Sequence, residues 1–247
     1  MFSSLLLPCR PASRGCRGSR VERRCAVVAL FGWFDTKPAI SVAVSGPALE
    51  PAPAALLPLL DGTVLEGQEL VLAFCAERDG WTAAAFHKNI DSRGPTLLVG
   101  KTEGGGRFGG YISLGFASRE DYRDTASAFL FRWPAGAADD SEPEYLLKTG
   151  APAIFDFAAT GPCFGADALR IPLGQAPQMG SSYAVVGSQD VGAKNAAGSR
   201  SARSRLGSHF ARRADGGRTL FTDAEGMDAN LVELRCYVSP GREGNYL

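Results

Sequence analysis

No apolar run in this chain approaches the roughly 20 residues that cross a bilayer as a helix, so no transmembrane helix is predicted. Histidine occurs only twice in 247 residues, at His87 and His209. No G-x-S-x-G elbow is present to expose a serine nucleophile at a strand-to-helix turn. The six cysteines, Cys9, Cys16, Cys25, Cys75, Cys163 and Cys236, form no C-x-x-C pair and fit no zinc-ligand spacing. Basic and acidic residues balance, 26 against 26, so the overall charge gives no reason to expect a nucleic-acid partner or a membrane surface. Nothing calls for a cofactor or a resident metal.

Two glycine motifs come close to phosphate-binding patterns and fail on context. Gly104 to Gly109 spell G-x-G-x-x-G, but a dinucleotide loop must open a helix, and Tyr111 to Phe116 read as a strand. Gly100-Lys101-Thr102 resembles the end of a phosphate loop, yet Pro95 stands where the first glycine belongs.

What the chain does contain is organised around residues 78–133. Thr82 suits a helix N-cap, because its hydroxyl can accept from an orphan backbone N–H. Trp81 and Phe86 are spaced to close as a hydrophobic staple. Ala83, Ala84 and Ala85 are strong helix formers, and Phe86 and Ile90 share a face. A short helix is therefore predicted to end near Ile90, stopped by Gly94 and Pro95. Thr96 to Val99 and Phe108 to Phe116 flank the Gly104–Gly106 turn as a hairpin. Gly109 and Gly110 inside the returning strand signal a bulge or a close backbone approach. Ser118 and Asp121 form a variant capping box for a further short helix. Ala128 to Trp133 reads as a buried strand ending at Pro134. Residues 78–133 thus favour local antiparallel pairing over a parallel sheet.

This stretch resembles the TLDc domain family. The matching pieces are RDGWTAAAFH, GPTLLVGKT, FGGYISLGF and AFLFRW, in the family's order. GPCFGADALRI (Gly161 to Ile171), SSYAVVG (Ser181 to Gly187) and LVELRCYV (Leu231 to Val238) look like its later segments, so the similarity spans roughly residues 56–240. The resemblance implies an α+β domain, two antiparallel β-sheets packed as a sandwich with a few short peripheral helices. It also implies a part in resistance to oxidative damage, with no established catalytic residues. Some eukaryotic relatives bind the vacuolar proton-pumping ATPase. Asp79 and Gly80 match the family's turn before the helix, where Asp can accept local backbone bonds and Gly tolerates left-handed dihedrals. Glu233 matches a recurrent acid of the terminal strand; it either pairs with a basic residue inside the sandwich or lines a partner surface.

The chain outside that core divides by composition. Residues 1–30 carry Arg10, Arg14, Arg17, Arg20, Arg23 and Arg24 against the single acid Glu22, with interspersed serines. That is the composition of an organellar transit peptide; the expectation is a plastid, the alternative a mitochondrion. The vacuolar pump then lies in another compartment. Residues 31–55 read as a Pro/Ala-rich linker, residues 56–240 as the domain, and 241–247 as a tail. Asp139, Asp140, Glu142 and Glu144 sit in a predicted solvated loop. Residues 192–218 carry Lys194, Arg200, Arg203, Arg205, Arg212, Arg213 and Arg218 with Asp215 as the only acid. This Gly/Ser/Ala-rich run is expected to be a mobile surface loop, or else a docking patch for an anionic partner.

Two functions follow. The first is a non-catalytic protein-interaction module acting against oxidative stress in an organelle. The alternative is a weak Cys/His-dependent hydrolase or peroxide-consuming enzyme using Cys75, Cys163 or His87. The alternative needs a thiol of lowered pKa in an exposed, electropositive pocket. The residues themselves favour buried structural thiols and a His87 that is a surface or cap-side residue rather than a general base.

Overall fold

The computed structural model describes residues 50–134, 136–138, 141–173 and 200–242. The predicted transit segment, nearly all of the linker, the Ser181–Gly187 strand and the start of the basic run lie outside those residues.

Proline shapes the way in. Pro51 pairs with Val71 as an isolated bridge. Pro53, whose fixed φ suits a helix entry, precedes a 3₁₀ helix at Ala54–Leu60. Leu56, Leu59 and Leu60 on this arm are buried, whereas Leu57 is exposed.

The strands follow in chain order: β1 (Val71–Cys75), β2 (Thr96–Thr102), β3 (Arg107–Ile112), β4 (Asp121–Arg123), β5 (Ala128–Trp133), β6 (Glu144–Leu147), β7 (Ile154–Asp156), β8 (Cys163–Phe164), β9 (Leu169–Arg170), β10 (Ser201–Arg203) and β11 (Asp228–Val238). Two short helices, α1 (Ala76–Asp79) and α2 (Ala83–Ile90), sit between β1 and β2. Helix α2 begins as predicted: Thr82 Oγ1 accepts from the Ala85 N–H at 3.2 Å, and Phe86 and Ile90 are fully buried.

The expected pair of separate sheets does not form. The eleven strands make one open, unclosed antiparallel sheet in the order β4-β7-β8-β9-β10-β11-β2-β3-β5-β6, with β1 added alongside β11. The reason lies in the length of β11. Its first residues, Asp228 to Asn230, pair with β10, and Leu231 to Val238 continue onto β2. One eleven-residue strand thereby carries the ladder through the point where two sheets would have parted.

A bulge between Leu231 and Glu233 also changes the parity of β11. Ala229 and Leu231 point into the main core, and after the bulge Leu234, Cys236 and Val238 do so. A bulge adds one residue to one strand and so re-aims the side chains beyond it. Glu233 and Arg235 consequently face outward. The main core holds Phe74, Phe86, Phe108, Phe164 and Leu234. A second cluster forms on the opposite face, where the arm leucines cover Leu97, Tyr111, Phe131 and Tyr237.

Three local expectations are corrected. Asp121 opens a strand rather than a helix, because β4 pairs with β7 and the Ser118 hydroxyl bonds elsewhere. Glu144 belongs to β6 and not to a solvated loop; it reaches Arg132 Nη1 at 3.2 Å. Residues 200–218 are not a mobile loop in this structure. Ala202, Ser204, Leu206, Phe210 and Arg213 are buried there, and Ser204 Oγ donates to the Ala168 carbonyl at 2.8 Å.

Gly109 and Gly110 resolve as close approach, since β2 and β3 pair without interruption. A Cβ on Gly109 would lie 2.2 Å from the Leu98 oxygen and 2.3 Å from the Phe131 ring. At Gly110 it would meet the Phe164 ring at 2.7 Å. Gly109→Ala should therefore destabilise the fold by about 3 kcal/mol, the upper range for over-packing a close-packed core. A fall in the urea midpoint at unchanged slope would register it; an unchanged midpoint would contradict the contact.

Candidate functional site

Two constellations concentrate polar chemistry: a buried cluster around His87 and an open groove on the outer face of β11, β2, β3 and β5.

His87 lies one turn before the end of α2, four residues from Asp91. Its side chain is only 9% exposed, which corrects the expectation of a surface residue. Nδ1 lies 2.8 Å from Asp91 Oδ1 and 3.0 Å from Ser118 Oγ. Nε2 lies 2.7 Å from the Thr160 carbonyl oxygen. The Ser118 hydroxyl also donates to Asp91 Oδ2. Beneath them the fully buried Asp156 accepts from the backbone N–H groups of Ala117 and Ser118 and from Arg123 Nη1.

Serine, histidine and aspartate thus meet, but not as a catalytic triad. A triad places the serine on one ring nitrogen and the carboxylate on the other. Here Ser118 and Asp91 share Nδ1, and a carbonyl holds Nε2. Acceptors on both nitrogens favour the doubly protonated ring. Burial alone would lower the His87 pKa, yet the hydrogen bond and charge of Asp91, the Thr160 carbonyl and the charge of Asp156 outweigh it, and the value rises. The cluster is a clasp that ties α2 to the turns at Ser118 and Thr160. Sequence reading missed Asp91, Ser118 and Asp156. The i, i+4 spacing of His87 and Asp91 was a usable signal; the other two meet only through the fold.

The described thiols sit in environments that disfavour the thiolate. Burial pushes Cys163 up to about 12 and pushes Cys236 upward as well. Cys75 is partly exposed, and both burial and a hydrogen bond to Glu77 raise it. None has the lowered pKa that the thiol-enzyme alternative requires. Among the described residues no group of three or more His, Cys, Asp or Glu is placed to hold a metal ion, and no helix is long and apolar enough to cross a membrane.

The groove has a volume of about 780 Å³. Its floor is a cross-strand row. Glu233 of β11 stands opposite Lys101 of β2, Lys101 opposite Arg107 of β3, and Arg107 opposite Trp133 of β5. The next row runs Arg235, Val99, Gly109, Phe131 and Tyr145. One wall is the 3₁₀ arm, through Leu56 and Leu59; the other is the turn before β6, through Glu142 and Pro143. The Arg107 guanidinium lies 4.9 Å from the Trp133 ring centroid. Glu233 is 42% exposed and sits 3.5 Å from Arg235 Nη2, on the outer face and not in the interior.

The remaining predicted residues scatter. Asp79 accepts from the Cys75 N–H at 2.9 Å and from Arg78, whose hydrogen bond holds the Asp79 carboxyl below its usual value against the opposing effect of burial. Gly80 ends α1 at φ 103°. Arg200 lies over Trp81, 5.2 Å from its ring centroid. Arg203 pairs with Asp228 and Arg205 with Asp167. Arg213 is buried between Asp215 and Asp223, and Arg212 packs against Gly207.

Residues 55–185, just over half of the chain, match the TLDc domain. The chain belongs to the TLDc domain family. Comparison with curated proteins finds no match. The TLDc match takes in the arm and β1 to β9; β10 and β11 lie beyond it. The groove of this TLDc protein therefore joins a floor and walls inside the matched span to Glu233 and Arg235 outside it.

The His87 clasp makes stability depend on pH. A histidine whose folded pKa exceeds its unfolded value of about 6.5 adds stability that is complete below that value and is lost as pH rises through the folded one. Unfolding free energy measured from pH 5.5 to 9 should fall across this window in the wild type. Asp91→Asn should cost about 1–3 kcal/mol at pH 5.5, the penalty for a weakened buried hydrogen bond, and should flatten the profile. An equally steep profile in Asp91→Asn would contradict the clasp.

Proposed function

We propose that this TLDc protein is a non-catalytic interaction module in the defence against oxidative stress, and that its outer-face groove receives the partner. The groove carries the reading. Apolar, aromatic and charged side chains converge in an open trough, the usual make-up of a binding site, and neither His87 nor any described thiol lies in it. The His87 cluster, where turnover would otherwise be sought, has both imidazole nitrogens engaged. The oxidative-stress role comes from the TLDc family and not from the geometry.

Placement in an organelle, a plastid first and a mitochondrion second, is part of this proposal and rests on the arginine-rich residues 1–30. Fusing residues 1–30 to a fluorescent protein should send it to one of those compartments; diffuse fluorescence would remove the organellar reading. Because the vacuolar pump bound by some relatives lies in another compartment, a pull-down from isolated organelles should look for a plastid or mitochondrial proton-pumping ATPase; a clean pull-down without its subunits would reject that partner.

Val99→Trp would plug the groove at a half-buried strand position that tolerates aromatics. Cells carrying Val99→Trp, at wild-type abundance and melting temperature, should lose protection against peroxide to the level of cells without the protein. Cys75→Ser combined with Cys163→Ser should protect as the wild type does. Protection that survived the plug and vanished with the thiols would reverse the conclusion.

A further inference from the structure

The charges in the groove are unevenly distributed and unevenly satisfied. Lys101 and Arg107 share a cross-strand row with Glu233, and Arg235 heads the next row beside them on β11. Lys101 is exposed, and no hydrogen bond or ion pair engages its Nζ among the described residues. Arg235 Nε is buried and has no hydrogen-bond acceptor. Glu233 contacts Arg235 only at 3.5 Å, a distance too long for a charge-assisted hydrogen bond. The Arg235 side chain as a whole is 42% exposed and lines the groove, so its guanidinium can be approached there by a charged acceptor.

The other end of the groove has the opposite sign. Asp61 and Glu142 both act on Tyr145 and raise its pKa, after the larger effect of burial. Between the two ends lie Val99, Leu59 and Trp133, an apolar middle. The floor from β11 to β6 spans four strand spacings, about 19 Å. An extended segment of about six residues covers that length.

We propose that the groove takes an extended segment of a partner protein in which a carboxylate side chain stands beside an aromatic or large aliphatic one. The carboxylate lies against Lys101 and Arg235, the apolar side chain packs on Val99 against the arm, and the end near Tyr145 is free of acid. This deepens the interaction reading and rests on it. Specificity comes chiefly from charge: like charges brought together repel, so a basic residue at Lys101 is rejected.

The probe is a random hexapeptide display library panned against the full chain. Peptides with Asp or Glu next to Phe, Tyr, Trp or Leu should be enriched at least tenfold over the starting pool. The double variant Lys101→Glu/Arg235→Glu should lose that preference and turn toward Lys or Arg at the same place. Lys101→Gln, a milder change at an exposed site, should cut the enrichment while leaving the melting temperature unchanged. Enrichment of neutral or basic peptides, no enrichment at all, or the same acidic peptides with the double variant would each overturn the proposal. If Val99→Trp abolishes protection while no acidic preference is found, only this inference falls; if Val99→Trp protects normally, the groove reading falls with it.

Discussion

The pairing of β11 constrains everything else. It hydrogen-bonds to β1, β10 and β2 at once, and so joins strands distant in sequence into one ladder. Its inward residues, Leu231, Leu234 and Cys236, are fully buried. Contact between β11 and β2 spans more than 120 residues of chain. Loop-closure entropy rises only slowly with such length, so the burial of these apolar side chains is enough to hold the pairing. A shift of one residue would exchange the two faces. The bulge at Leu231–Glu233 makes such a change in a controlled way, and the groove exists because of it: without the bulge, Glu233 and Arg235 would point into the apolar interior.

Close packing on the next strands sets the shape of that floor. Gly109 gives its Cβ space to the Phe131 ring and the Leu98 carbonyl, and Gly110 gives its own to Phe164 from a distant strand. Phe131 can therefore lie low on the outer face while Leu98 and Phe108 fill the inner one. The arm then packs on this face and forms one wall of the groove.

Polar groups are used in two distinct ways. Around His87 they are buried and mutually satisfied, and a satisfied buried network rigidifies its neighbourhood. In the groove they are half-exposed and only partly satisfied. Arg213, Arg203 and Arg205, from the basic run, are each paired with an acid from elsewhere in the chain.

Local signals were legible in the sequence. The Thr82 cap, the Phe86–Ile90 face, the hairpin across Gly104–Gly106 and the strand at Ala128–Trp133 all depend on neighbours within a few positions, and the ordered TLDc motifs could be read for the same reason. What only the tertiary structure decided depends on residues far apart: the single open sheet in place of two, the strand status of Asp121 and Glu144, the burial of His87 beside Asp91, Ser118 and Asp156, and the outward aim of Glu233 and Arg235. A slip in apolar alternation becomes a bulge only when the register of the partner strand is known, because a bulge is a property of the pair.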